Sequence, residues 1–198
     1  MRNIVRGQHG AYQVEQVHFF TAPAKEAFAT HGKDSVVAQQ SYHRALQERY
    51  PAPHFQMTLG NHVFDRNGSL MPRYVEGQAC DKTDRIRVWA LEEKQTDVNL
   101  ALGMYRGCSK AQCDQVVVCS NDSDVAPVLK AIREDFPNIQ IGVITPAAPQ
   151  HKNRRISSSL AEHAHWVRRH ISDEELQAAQ LPDMVPTKNK PARKPTHW

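Results

Sequence analysis

The chain has 198 residues, 40% apolar and 23% charged, enough for one ordinary domain with its own core. No apolar run approaches the ~18 residues of a membrane-spanning helix, and the opening MRNIVRGQHG lacks the apolar stretch of a secretory leader, so a cytoplasmic protein with no membrane partner is expected. The net charge of +4 is modest and only permits nucleic-acid binding, although four Lys and Arg crowd TKNKPARKPTHW, and Arg66, Arg73, Lys82, Arg85 and Arg87 crowd a second segment.

In chain order, VEQVHFFT (Val14 to Thr21) reads as a buried strand ended by Ala22-Pro23. Lys25 to Tyr50 reads as a helix with an apolar stripe of Val37, Tyr42, Ala45 and Leu46, and Pro51 just beyond it. His54 to Phe64 alternates like a strand with a glycine interruption, and the turn-rich stretch from Arg66 to Ile86 reads as a surface excursion. Arg87 to Ala90 is expected as a short strand leading into a helix over Glu93 to Arg106. Asp114 to Ser120 is the clearest strand, because four consecutive apolar residues, Val116 to Cys119, suit a parallel strand covered on both faces. The following helix, Asp124 to Phe136, carries Pro127 in its first turn, where a missing N–H is tolerated. Ile139 to Thr145 is another buried strand, followed by helices near Ser157 to Trp166 and Asp173 to Gln180 and an extended tail from Pro182. Strands alternating with helices predict an α/β fold with a mainly parallel sheet.

Cys80, Cys108, Cys113 and Cys119 form no CxxC pair, which argues against a structural zinc site, and Cys119 is expected as a small buried hydrophobe. GxGxxG and GxxxxGK[ST] are both missing, so the sequence supports neither dinucleotide nor P-loop binding.

The strongest local signal is Ser120-Asn121-Asp122-Ser123-Asp124, at the carboxyl end of an apolar strand, where parallel sheets bind ligands. Two carboxylates two residues apart can aim at one hard cation, while Ser, Asn and Asp are also favoured helix caps. Both readings stand. The second signal is Glu93-Lys94-Gln95-Thr96-Asp97-Val98-Asn99, in which Asp97 lies near a helix start and can equally be a solvated first-turn acid.

Together, an E-K-x-T-D-V segment about two dozen residues before a strand ending in S-N-D-S-D resembles the NYN branch of the PIN-like nucleases. VEQVHFFTA resembles that family's second strand, SYHRALQERY the helix after it, FPNIQIGVITP the strand after the acidic loop, and ELQAAQLPDMV…RKPTHW its C-terminal ending. The resemblance implies a PIN-like three-layer α/β/α domain over residues 1–170 with a central, mainly parallel sheet. Residues 171–198 would form a C-terminal helix and basic Pro- and Lys-rich tail. It implies an endoribonuclease acting on single-stranded RNA with Mg²⁺ or Mn²⁺ held by Asp97, Asp122 and Asp124. Ser120 would support the same pocket. Glu93, Lys94 and Asn99 would stand behind it, with Lys94 able to meet a phosphate, and a homo-oligomer is possible. The family's first strand, which supplies one metal-binding aspartate, has no counterpart in the opening MRNIVRGQHG. It would lie between the strands at Val14–Thr21 and Asp114–Ser120, so a shortened version is expected. A non-catalytic RNA-binding module, a protein-interaction scaffold using the tail, and a phosphohydrolase or receiver domain are the alternatives. Trp166 and Trp198 are candidates for base stacking.

Overall fold

Val116 to Cys119 forms most of strand β7 (Gln115–Cys119), which pairs in parallel with β8 (Gln140–Ile144). A third parallel strand, β9 (Trp166–Arg168), completes the sheet in the order β7-β8-β9. In this computed structural model the described residues are Val5, 12–147 and 155–197, so the opening stretch and Trp198 lie outside them.

Before this sheet, the chain forms β1 (Val17–Thr21), helix α1 (Lys33–Arg49) and β2 (Phe55–Leu59), with β2 parallel to β1. After them come β3 (Asn61–Phe64), β4 (Ser69–Pro72), β5 (Arg85–Val88) and β6 (Leu91–Lys94). β3 pairs with β6 and β4 with β5, both antiparallel, so the turn-rich excursion is a two-stranded arm. Helix α2 (Thr96–Ser109) leads into β7. Beyond it come α3 (Ala126–Asp135), α4 (Ser158–His163), α5 (Asp173–Ala178) and a small hairpin of β10 (Met184–Val185) and β11 (Ala192–Arg193).

The three-stranded sheet is buried on both faces, as consecutive apolar residues require. Val118, Ile141 and Val143 face Leu129, Ile132 and Leu160 from α3 and α4, and Cys108 of α2 closes this core. On the opposite face Ile144 and Ile171 pack with Val117, Cys119 and Trp166. Gly142 admits the Trp166 indole: a Cβ there would lie 2.2 Å from a ring carbon. Burying the larger of these side chains contributes roughly 1.5–3 kcal/mol each.

The fold is therefore α/β, but one continuous central sheet with a helical layer on either side is not what forms. β1–β2 and β7–β8–β9 are separate sheets, and among the described residues β1 and β7 each pair on one side only. Helix α2 joins the two regions. Its Gly103 sits so close to β1 that a Cβ would lie 2.7 Å from the Phe20 ring, while Tyr105 on α2 donates to Asp135 of α3 at 2.8 Å.

Several expected boundaries move for local reasons. The first helix begins at Lys33, because the preceding segment makes a single 3-10 turn at Glu26–Phe28 and then bends at Gly32, whose φ is +49°. Gly60 divides the expected strand into β2 and β3 where the chain presses on the next helix: a Cβ would lie 2.2 Å from Thr96 Oγ1. Glu93 and Lys94 belong to β6, with α2 starting at Thr96, because Gln95 takes a left-handed φ of 76° that separates strand from helix. The helix expected to reach Trp166 stops at His163, and Trp166–Arg168 forms β9 instead, a strand too short to show a period. The tail is not simply extended, since β10 and β11 fold back against α1.

Candidate functional site

Parallel strands β7 and β8 end side by side, and Ser120 N–H continues their ladder by donating to Ile144 O at 3.0 Å. Just past these ends lies a crevice of about 560 Å³. Cys119, Ser120, Asn121, Asp122 and Ser123 line it from β7, and Thr145 and Pro146 line it from β8. This is the place where open α/β sheets bind ligands, because the loops diverge beyond the hydrogen-bonded strands.

The acidic turn is held by its own side chains. Ser120 Oγ accepts from Asp122 N–H at 3.1 Å, and Asp122 Oδ1 accepts from Asp124 N–H at 3.0 Å. Asp122 thus caps the 3-10 turn over Ser123–Val125 that precedes α3. One of the two readings open for this motif, capping, is realised at Asp122, and the cap leaves its carboxylate at the crevice. Asn121 fastens the turn to a distant segment: its Oδ1 accepts from Ser157 N–H at 2.8 Å and its Nδ2 donates to Arg155 O at 3.1 Å.

Asp97 comes to this place from the first turn of α2. Partial burial of its carboxyl, and then the negative charges of Asp122, Glu93 and Asp124, push its pKa above the ordinary aspartate value. The structure therefore brings together Asp97, Asp122, Asp124 and Glu93, from two segments distant in sequence. Asn99 is half-buried two residues further along α2, about 200° around the helix from Asp97, so it does not share that face. Lys94 is ion-paired with Glu92, while Glu93 lies 3.8 Å from His62 across the β3–β6 ladder.

One crevice residue, Thr145, lies outside both acidic motifs. Thr145 is fully buried, and among the described residues its Oγ1 has no hydrogen-bond partner. Leaving such a hydroxyl unsatisfied costs about 1–3 kcal/mol. Asn121 belongs to the acidic motif, but its partners lie more than thirty residues away. Cys119 both packs against the Ile144 and Ile171 cluster and lines the crevice, and burial pushes its thiol pKa up.

Among the described residues, no three His, Cys, Asp or Glu side chains are grouped to hold one ion. Within the basic segment several side chains are held locally. Arg73 pairs with Asp84 at 3.3 Å, Arg85 donates to Lys82 O, and Arg87 donates to the Asn67 and Gly68 carbonyls, all within the β4–β5 arm. Among the described residues, no helix is long and apolar enough to cross a membrane.

No family model matches the chain, and no solved structure matches it. A curated relative, the 6-hydroxy-3-succinoylpyridine 3-monooxygenase of Pseudomonas putida, is 37% identical over 186 residues, which cover 92% of this chain. The chain spans 57% of that relative's length. This similarity overturns the expectation of a ribonuclease. The hydrolase and RNA-binding readings and Mg²⁺ or Mn²⁺ as cofactor fall with it, because the relative is a monooxygenase.

Proposed function

We propose that this chain belongs to an oxygen-dependent enzyme that hydroxylates a hydroxypyridine-type ring, and that the acidic crevice supplies its proton-transfer group. The observation that carries this reading is 37% identity to a pyridine monooxygenase across nearly the whole chain. The crevice chemistry supports it. In a 6-hydroxypyridine, carbon 3 lies para to the hydroxyl, so removing the hydroxyl proton raises electron density at the carbon that oxygen must reach. A base suited to that step has a pKa displaced toward neutrality, which is the direction in which burial and neighbouring acids move Asp97. Asp97 is assigned as the base. Asp122 and Asp124 are assigned to maintaining its displaced pKa, and Ser120 to holding the turn. The unpartnered Thr145 hydroxyl is a donor or acceptor available to a ring substituent.

A monooxygenase takes its electrons from a reduced cofactor. The residues of this crevice do not fit the pyrophosphate of a dinucleotide flavin or nicotinamide. Its strand-to-helix turn has no glycine, and it presents the carboxylates of Asp122 and Asp124 where such a site offers free N–H groups. Proton transfer is the part assigned to this chain. The NYN-like order of motifs is kept as a proposal about the scaffold's kinship. A cytoplasmic setting is likewise proposed, in keeping with four free cysteines.

The test is incorporation of label from ¹⁸O₂ into 6-hydroxy-3-succinoylpyridine by the full chain, supplied with reduced flavin or reduced nicotinamide and followed by mass spectrometry. Label in the product, lost in Asp97→Asn and reduced in Thr145→Val while both variants stay folded, is expected. Label from H₂¹⁸O instead, or equal turnover by Asp97→Asn, would refute the assignment.

A further inference from the structure

In the crevice beyond β7 and β8, most polar atoms are already engaged inside the protein. Both ends of the Asn121 amide are taken, by Ser157 N–H and by Arg155 O. Ser120 Oγ accepts from Asp122 N–H, and Asp122 Oδ1 accepts from Asp124 N–H. The Thr145 backbone is satisfied too: its N–H donates to Arg168 O at 2.8 Å and its carbonyl accepts from Ala147 N–H at 2.8 Å. Besides the exposed Ser123 hydroxyl and the weakly polar Cys119 thiol, three side-chain groups of the crevice stay unengaged among the described residues. They are the Ser120 O–H, the second carboxylate oxygen of Asp122 and the Thr145 hydroxyl. Thr145 is fully buried yet lines the crevice, and a buried hydroxyl of this kind calls for a partner.

We propose that these three groups read the lactam edge of a pyridone, the adjacent C=O and N–H that a 2-hydroxypyridine presents in its keto form. The inference rests on the hydroxypyridine reading above and specifies which edge of the ring enters the crevice. The ring oxygen has two lone pairs, which the Ser120 and Thr145 hydroxyls meet as donors, and the ring N–H meets the free oxygen of Asp122. The keto form is the better match, because its oxygen accepts from both hydroxyls. The hydroxy form offers one good lone pair, on nitrogen. Both forms lose a proton to the same anion, so this recognition is compatible with the proton transfer assigned to Asp97.

The rest of the crevice suits such a ring. Pro146 has no N–H and Cys119 only a weak donor, so the surfaces they offer the ring compete for none of these bonds. The volume of about 560 Å³ exceeds that of one six-membered ring and leaves space for a substituent. Carbon 3 lies across the ring from the oxygen, so an edge held at Ser120 and Asp122 directs carbon 3 and anything attached to it away from them. A carboxylate carried on that side chain therefore lies away from the Asp122 carboxylate, and the carbon to be oxygenated stays clear of the hydrogen bonds that hold the ring.

The experiment titrates the full chain, without reductant or oxygen, with 2-pyridone, 1-methyl-2-pyridone and 2-methoxypyridine, followed by ligand-detected NMR. Binding of 2-pyridone roughly tenfold or more tighter than either methylated ring is expected, because each of those lacks the donor that Asp122 requires. Asp122→Asn keeps the turn, since its amide oxygen still accepts from Asp124 N–H, but it presents an N–H₂ group where the carboxylate stood. This variant is expected to lose 2-pyridone and to gain affinity for 2-methoxypyridine, whose ring nitrogen accepts. Thr145→Val should weaken 2-pyridone by roughly threefold or more. No binding of 2-pyridone, equal binding of the three rings, an unchanged preference in folded Asp122→Asn, or tighter binding of uracil would overturn the inference. The ring series on the unsubstituted chain does not depend on any variant folding. Label from ¹⁸O₂ in the product without discrimination among the rings would overturn the edge assignment alone. Discrimination without labelled product would overturn the oxygenase reading alone.

Discussion

Replacing Asp97 by Asn tests the crevice most directly, because stability and activity are expected to move in opposite directions. Asp97 carries a negative charge toward Asp122, Glu93 and Asp124, and its pKa is raised by partial burial and by those charges. A carboxyl whose folded pKa is raised contributes stability that is present below its ordinary value of 3.8 and is lost as pH rises through the folded value. At neutral pH the folded chain therefore bears the whole penalty, and Asn removes it. Because Asp97 is exposed and solvent-screened, the gain is a few tenths to about 1 kcal/mol. Loss of a first-turn acid from the α2 dipole offsets about 0.3–0.5 kcal/mol of this. The net effect is a rise of zero to about 3 °C in melting temperature for a chain of this size. Thermal melts of both proteins at about pH 3.5 and about pH 7, in low salt and roughly 0.5 M NaCl, measure it. The difference is expected to open as pH rises and to shrink in salt, while oxygen incorporation falls. An Asn variant less stable by more than about 1 kcal/mol at neutral pH, or a gap indifferent to salt, would refute the reasoning.

Other substitutions probe how the surrounding elements are held. Ala111→Gly relieves a non-glycine residue at φ 49° and is expected to stabilise the chain by about 0.5–1 kcal/mol in urea titration, with no change in the slope. Gly142→Ala drives a methyl group into the Trp166 indole at the centre of the three-stranded sheet; a loss of about 1–3 kcal/mol is expected, visible as a lower urea midpoint. Glu175 ion-pairs with Arg168 and closes the capping box of α5 with Ser172, and the Arg168 hydrogen bond leads the causes that hold its pKa below the ordinary 4.5. That contribution is present above the ordinary value and is lost as pH falls through the folded one. Glu175→Gln should therefore cost about 1 kcal/mol at neutral pH and nothing in strong acid, which paired melts would check.

The relation between sequence and structure is uneven along the chain. Val116–Cys119 and Ile139–Ile144 could be recognised as buried parallel strands, because burial on both faces demands an unbroken apolar run that few other environments tolerate. The S-N-D-S-D turn was legible for a similar reason: small polar and acidic residues between an apolar strand and a helix have few other uses. The grouping of Asp97 with Asp122 and Asp124 could also be anticipated from the pairing of the two motifs.

What those acids do was not legible. Carboxylates at a strand end suit a metal, a proton or a cap equally well in sequence, and the cap at Asp122 is the use that the backbone hydrogen bonds show directly. Gln95 carries no mark of its left-handed φ, so Glu93 and Lys94 passed as helix when cross-strand pairing with Asn61 and His62 makes them strand. β9 is three residues long and exists because Gly142 and Ile144 of β8 leave it a place to pair. The burial of Thr145 and the partners of Asn121 likewise depend on which distant backbone comes alongside. By itself the sequence determined the apolar strands, the helices between them and the acidic turn, because local patterning and burial specify these. Tertiary structure alone decided the separation into two sheets, the third parallel strand and the buried Thr145 hydroxyl at the crevice. Each of these is a relation between segments, and no single segment's composition encodes it.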